Sequence, residues 1–161
     1  MYKRILAALD GSRALRLALD EGIRIVKASG AEIVGVSVIE HADRPVEGGT
    51  VFAPGAERNR ERLEAAGIIL EDADELFEAN GVKGSVRAVD AYGESVASVI
   101  ARVAGEWEAD LIVIGTHGRH GLRRAVLGSV AESVVRTAPT PVLLMRHGPD
   151  DDTGKERHSL T

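Results

Sequence analysis

Gly115-Thr116-His117-Gly118 follows directly on the apolar run Leu111 to Ile114, and Gly128-Ser129 comes after nine further residues. Two glycines spaced in this way let a chain turn sharply where a strand ends. The Gly-Ser pair opens a segment, Ser129 to Thr137, with the spacing of a helix. A glycine turn brought against a helix N-terminus gathers inward-pointing backbone N–H groups, a cluster suited to a phosphate. A nucleotide is therefore the first ligand to weigh. Neither standard phosphate signature is present: the chain has no Gly-x-x-x-x-Gly-Lys-Ser/Thr, and no Gly-x-Gly-x-x-Gly follows a strand-like run.

Such a cluster needs elements to hold it, and strand and helix signals alternate along the whole chain. Ile5 to Leu9 is a short apolar run stopped by Asp10-Gly11-Ser12, and runs of this kind suit strands buried on both faces. Leu15, Leu19, Ile23 and Val26 then recur at helical spacing, ending near Gly30. Ile33 to Ile39 reads as a second strand. His41 to Gly55 has no period and carries Pro45, Gly48, Gly49 and Pro54, a length typical of a lid, a binding loop or a linker. Glu57 to Ala79 is charged and helical, with Leu63, Ile69 or Leu70, Ala73 and Phe77 as its apolar stripe and Asn80-Gly81 as its stop. Val82 to Val89 fits an edge strand. Tyr92-Gly93-Glu94-Ser95 leads into a helix holding Val96, Val99, Ile100 and Val103. Leu111 to Ile114 and Pro141 to Met145 are the fourth and fifth strands.

This order predicts a single α/β domain, a mostly parallel, doubly wound sheet with helices on both faces. Ligands of such sheets bind beyond the carboxyl ends of the strands, where the winding reverses. Asp10-Gly11 and Gly115 to Gly118 both stand at carboxyl ends, so they face one crevice if the first and fourth strands are neighbours. Residues 1–147 form the expected domain. Residues 148–161, with Asp150-Asp151-Asp152 and no apolar period, read as a flexible acidic tail.

Composition narrows the classes of function. The 161 residues are 44% hydrophobic and 28% charged, ordinary for one soluble domain. A net charge of −5 gives no support to nucleic acid or an anionic membrane as main partner, so any anion site must be local. The absence of cysteine removes disulfides, thiolate metal sites and a cysteine nucleophile. Met1-Tyr2-Lys3-Arg4 runs straight into a strand with no signal peptide before it, and no apolar run reaches membrane-spanning length. A cytoplasmic location is expected.

The pattern Gly-x-x-Gly, nine residues, Gly-Ser resembles the ATP-binding motif of the universal stress protein family. The resemblance covers about residues 2 to 147. It includes the opening Ile-Leu-Ala-Ala-Leu-Asp-Gly-Ser and the closing Gly-Ser-Val-Ala-Glu-Ser-Val-Val-Arg-Thr-Ala-Pro-Thr-Pro-Val-Leu-Leu-Met-Arg. It implies a five-stranded, flavodoxin-like parallel sheet of order 3-2-1-4-5. By the same resemblance Asp10 lies near the ribose or adenine, with Ala8 and Leu9 walling the base and the Val38 backbone meeting the adenine edge. Ile114 and Gly115 would pack by the ribose and first phosphate. Gly118, Gly128, Ser129 and Val130 would hold the phosphates through backbone N–H groups and the serine hydroxyl, and a β-branched side chain at Gly118 would obstruct that approach. Mg²⁺ would bind mainly through the phosphates and needs no protein cage. The implied assembly is a homodimer through antiparallel pairing of the fifth strand, Val142 to Met145. Leu15 departs from the family, where many members have serine, and it faces the helix core in this reading.

Other readings stand beside these. Asp10 and Ser12 suit helix capping, which is compatible with ligand contact. Arg119, Arg123 and Arg124 either clamp a triphosphate or form a solvated face. His117 and His120 lack a third ligand for a metal and read as solvated loop residues. Trp107 reads as packing. For function, an ATP-binding regulatory protein, with a regulatory protein partner not identified, comes first. A slow ATPase or self-phosphorylating protein comes second, with His117, His120 and Glu94 as candidate groups but no visible nucleophile–base pair. A pure interaction module whose glycines are only structural is the third, using the apolar edge of the fifth strand.

Overall fold

Four largely apolar runs and one mixed edge segment become strands, and the stretches between them become the helices that cover them. The computed structural model describes residues 1–11, 13–41, 54–116 and 128–146. In chain order the elements are β1 (Arg4–Ala8), α1 (Arg13–Ser29), β2 (Glu32–Glu40), α2 (Pro54–Ala79), β3 (Gly84–Ala91), α3 (Val96–Glu106), β4 (Leu111–Gly115), α4 (Ser129–Thr137) and β5 (Val142–Met145). The strands form one sheet of order β3-β2-β1-β4-β5. Every pair is parallel, and β1 lies between β2 and β4, with Leu6 opposite Val34 on one side and Ile112 on the other.

Alternation along the strands builds a core on each face of the sheet. Leu6, Ala8, Val34, Val36, Ile112 and Ile114 pack with Val99, Ile100 and Val103 of α3 and Ala131 and Val134 of α4. Ile5, Ala7, Leu9, Ile33, Leu111 and Val113 pack with Ala18, Leu19, Ile23 and Val26 of α1 and Ala73 and Phe77 of α2. Leu15 joins this second cluster, and Trp107 packs against the first, with the Arg4 guanidinium 5.9 Å from the centre of its ring. The chain thus winds outward from β1 through β2 to β3 on one face. It then crosses to the other face to lay down β4 and β5, and the reversal falls between β1 and β4.

The amino ends of β1 and β4 are locked together. The Asp110 carboxylate accepts from the backbone N–H of Lys3 at 2.8 Å and of Arg4 at 3.1 Å. The Arg4 side chain donates to Glu32, Glu108 and the Trp107 carbonyl, spanning the start of β2 and the end of α3. These contacts set the register of the strands whose opposite ends form the crevice.

Three expectations need correction. The second helix begins at Pro54, not Glu57; proline suits the first helical position, where an N–H would have no partner. The edge strand runs Gly84–Ala91, two residues later than the apolar pattern suggests. Val82 belongs instead to the end of α2: its N–H donates to the Phe77 carbonyl, and Gly81, at φ +64°, donates to Glu78. This is a Schellman ending, in which an apolar residue after the glycine folds back on the helix. Leu63 is 48% exposed, and Ala66 carries the stripe in its place. The loop from residue 42 to 53 and the tail from 148 to 161 lie outside the described residues, and no described helix is long and apolar enough to cross a membrane.

Candidate functional site

Thr116 is the hinge of the site. Its N–H donates to the Met145 carbonyl at 2.9 Å, continuing the β4–β5 pairing, and its carbonyl accepts from the N–H of Gly128 at 2.7 Å. The chain that leaves the sheet after β4 therefore returns to the same point to begin α4. Gly128 is the N-cap, at φ −56° and ψ 149°, and among the described residues no side chain caps this helix. The first bond within α4 runs from the Glu132 N–H to the Gly128 carbonyl. The N–H groups of Ser129, Val130 and Ala131 precede it, so helix geometry gives them no intrahelical acceptor. They stand at the positive end of the helix, beside the carboxyl end of β4.

These donors border a cavity of about 420 Å³. That is the size of a small-molecule site. Ala8, Leu9 and Asp10 line it from the end of β1, Val36 to Glu40 from β2, and Ile114, Gly115 and Thr116 from β4 and its turn. Gly128 to Ala131 close one end. The expected site residues Ala8, Leu9, Asp10, Val38, Ile114, Gly115, Gly128, Ser129 and Val130 are all brought together here. Gly118 and Arg119 lie outside the described residues, as do Ser12, His117, His120, Arg123 and Arg124.

Glu94 is not among the lining residues. It pairs with Arg102 at 3.2 Å, and Glu106 flanks the same guanidinium at 3.3 Å. Hydrogen bonds to Glu94 and then Glu106 push the Arg102 guanidinium above its ordinary range.

The sequence model of the universal stress protein family matches residues 1–146. The chain belongs to the universal stress protein family. A relative named as a universal stress protein in Staphylococcus aureus (strain USA300) is 32% identical over 146 residues, covering 90% of this chain and 84% of its own. Among solved structures, a member of the family from Burkholderia pseudomallei is 34% identical with a TM-score of 0.71, covering 89% of this chain and 96% of its own. A universal stress protein crystallised in complex with cAMP is 25% identical with a TM-score of 0.66, covering 89% of this chain and 97% of that one. The sheet order of the family fold is the one found here.

Two walls of the cavity escaped the sequence. One comes from α2, through Arg62, Ala65, Ala66 and Ile69; the other from α3, through Val96 and Ile100. The α2 set has the i, i+3, i+4, i+7 spacing of one helix face, and that spacing was the available signal. It was masked because two alanines and an arginine do not read as an apolar stripe. The α3 wall stands on a capped helix, since the Ser95 hydroxyl accepts from the Ser98 N–H at 3.1 Å, just before Val96.

Proposed function

We propose that this protein is a cytoplasmic regulatory member of its family that holds ATP or another adenine nucleotide in the cavity between β1 and β4, with Mg²⁺ carried mainly on the phosphates. The observation that carries this reading is the hydrogen bond from Gly128 to the Thr116 carbonyl. It brings the end of β4 back to the start of α4 and sets a helix N-terminus that no described side chain caps against one end of a cavity whose remaining walls are largely apolar. Main-chain donors and a helix dipole at one end suit phosphates. Small apolar side chains such as Ala8, Ala65 and Ala66 leave room for a flat base and ribose. The relative that binds cAMP supports an adenine nucleotide as the ligand class.

Holding, rather than consuming, the nucleotide is the better reading, because the donors described at the phosphate end are main-chain N–H groups, which bind without transferring protons. Residues 1–147 would form the binding unit, with the stretch beyond as its tail. The protein would act as a homodimer through β5. This strand is the sheet edge, and its 141, 143 and 145 positions turn toward β4, leaving the backbone groups of Val142 and Leu144 facing outward. A monomer by sedimentation at micromolar concentration would refute that assembly.

Calorimetric titration with ATP and Mg²⁺ tests the site, using Ser129→Asp as the diagnostic variant. A carboxylate in the first turn favours α4 itself but repels phosphate, so ATP affinity should fall roughly tenfold or more while thermal stability holds. Unchanged affinity in that variant would place the phosphates elsewhere.

A further inference from the structure

At about 1.5 Å per residue the 26 residues of α2 extend about 39 Å, whereas the eight residues of β3 that follow extend about 26 Å. The lower half of the helix is anchored under the sheet by Ala73 and Phe77. Its amino-terminal turns overhang the carboxyl edge, and there Arg62 joins the cavity lining. Its Nη1 donates to the Glu40 carbonyl at 2.7 Å, which ties the guanidinium to the end of β2.

That tether locates Arg62 relative to the phosphate-binding end. β2 and β4 are separated by β1, so their ends stand roughly 9–10 Å apart. Arg62 is held beside β2, whereas the main-chain donors of α4 stand beside β4. The cavity near Arg62 is unsuited to an anion. Val38, Ala65 and Ala66 make it apolar, and Glu40 lies in the same lining. A flat, uncharged heterocycle fits this end. A guanidinium has five N–H donors on a planar group, and one bond to a carbonyl leaves both its faces available for stacking.

We propose that Arg62 is the specificity-determining residue of the site, contacting the base of the bound nucleotide rather than its phosphates. The proposal rests on the adenine-nucleotide reading above. Stacking of the guanidinium against a purine adds attraction that a phosphate clamp would not supply, and a two-ring base offers it more area than a one-ring base. Glu40, whose carbonyl fixes the guanidinium, thereby ties base recognition to the end of β2.

The test is titration of adenosine, AMP and ATP, with CTP as the one-ring comparison, into the full-length protein and into Arg62→Ala and Arg62→Lys, with thermal melting of each. Arg62 is exposed, so both variants should fold. Arg62→Ala should weaken adenosine, AMP and ATP by one common factor of roughly three- to thirtyfold, and narrow the preference for ATP over CTP. Arg62→Lys, which keeps the charge and loses the plane, should not restore it. A loss that grows with phosphate number, or full rescue by lysine, would make Arg62 a phosphate clamp and overturn the proposal. Unchanged affinity for all three ligands would overturn it as well. If the unsubstituted protein binds none of them, the nucleotide reading itself falls, a result distinct from any failure of Arg62 alone.

Discussion

Leu9 lies over the bare backbone of Gly35: a Cβ at position 35 would come within 2.9 Å of the Leu9 Cδ1. Leu9 belongs at once to the core beneath α1 and to the lining of the cavity. A missing side chain in the middle of β2 therefore helps set where one wall of the site stands.

Gly35→Ala separates the site from the fold. The displaced atom is the terminal methyl of a leucine, which can swing, and alanine lowers the entropy of the unfolded chain. Stability should change by less than about 1 kcal/mol. Leu9, pushed toward the cavity, should weaken ATP binding. Melting and titration of the same preparation check both halves, and an unaltered affinity would mean that Leu9 has slack on its cavity side.

Gly84→Ala should do the reverse. A Cβ there would collide with Cβ, Cγ and Cδ2 of Phe77, the root of a ring that is 1% exposed. No rotation moves a Cβ, so helix and strand must part, at a cost of about 1–3 kcal/mol. Urea denaturation should show the loss, and nucleotide affinity measured well below the melting temperature should be unchanged. Gly84 begins β3, at the end of the sheet away from the cavity.

Asp110→Ala tests the lock at the amino end of the sheet. The substitution leaves the N–H groups of Lys3 and Arg4 without their carboxylate acceptor. A loss of about 1–2 kcal/mol is expected, moderated because water reaches this edge. Asp110→Asn, which keeps one oxygen acceptor, should recover part of it. Amide exchange should quicken first at the start of β1. Equal protection in all three proteins would show that the hydrophobic pairing of Ile5 with Leu111 holds the register alone.

The parts legible from sequence are those governed by period and by glycine. β1, β2 and β4 are buried on both faces and so appear as largely apolar runs, and Gly128 and Pro139 punctuate α4 at Ser129 and Thr137. Asp10 and Gly115 converge because β1 and β4 pair, which the order of elements made the natural arrangement. Errors arose where one apolar residue could serve two structures. Val82 looks like strand alternation but closes a helix, and Leu63 fits a helical stripe but lies on a stretch of α2 that extends past the sheet it would have packed on. Arg62 and Ala65 were invisible for a related reason: their role follows from the length of α2 relative to the strands, which only the assembled layers reveal.

The hydrogen bond between Gly128 and Thr116 bears on how such a site can be found by mutation. The donors at the head of α4 are peptide groups, present whatever side chains stand at 129, 130 and 131. An alanine scan deletes none of them, removing only the Ser129 hydroxyl, and so would under-report the very stretch proposed to grip the phosphates. The information held there is the path of the chain, so the informative perturbations are those that add bulk or charge, or that move the start of the helix.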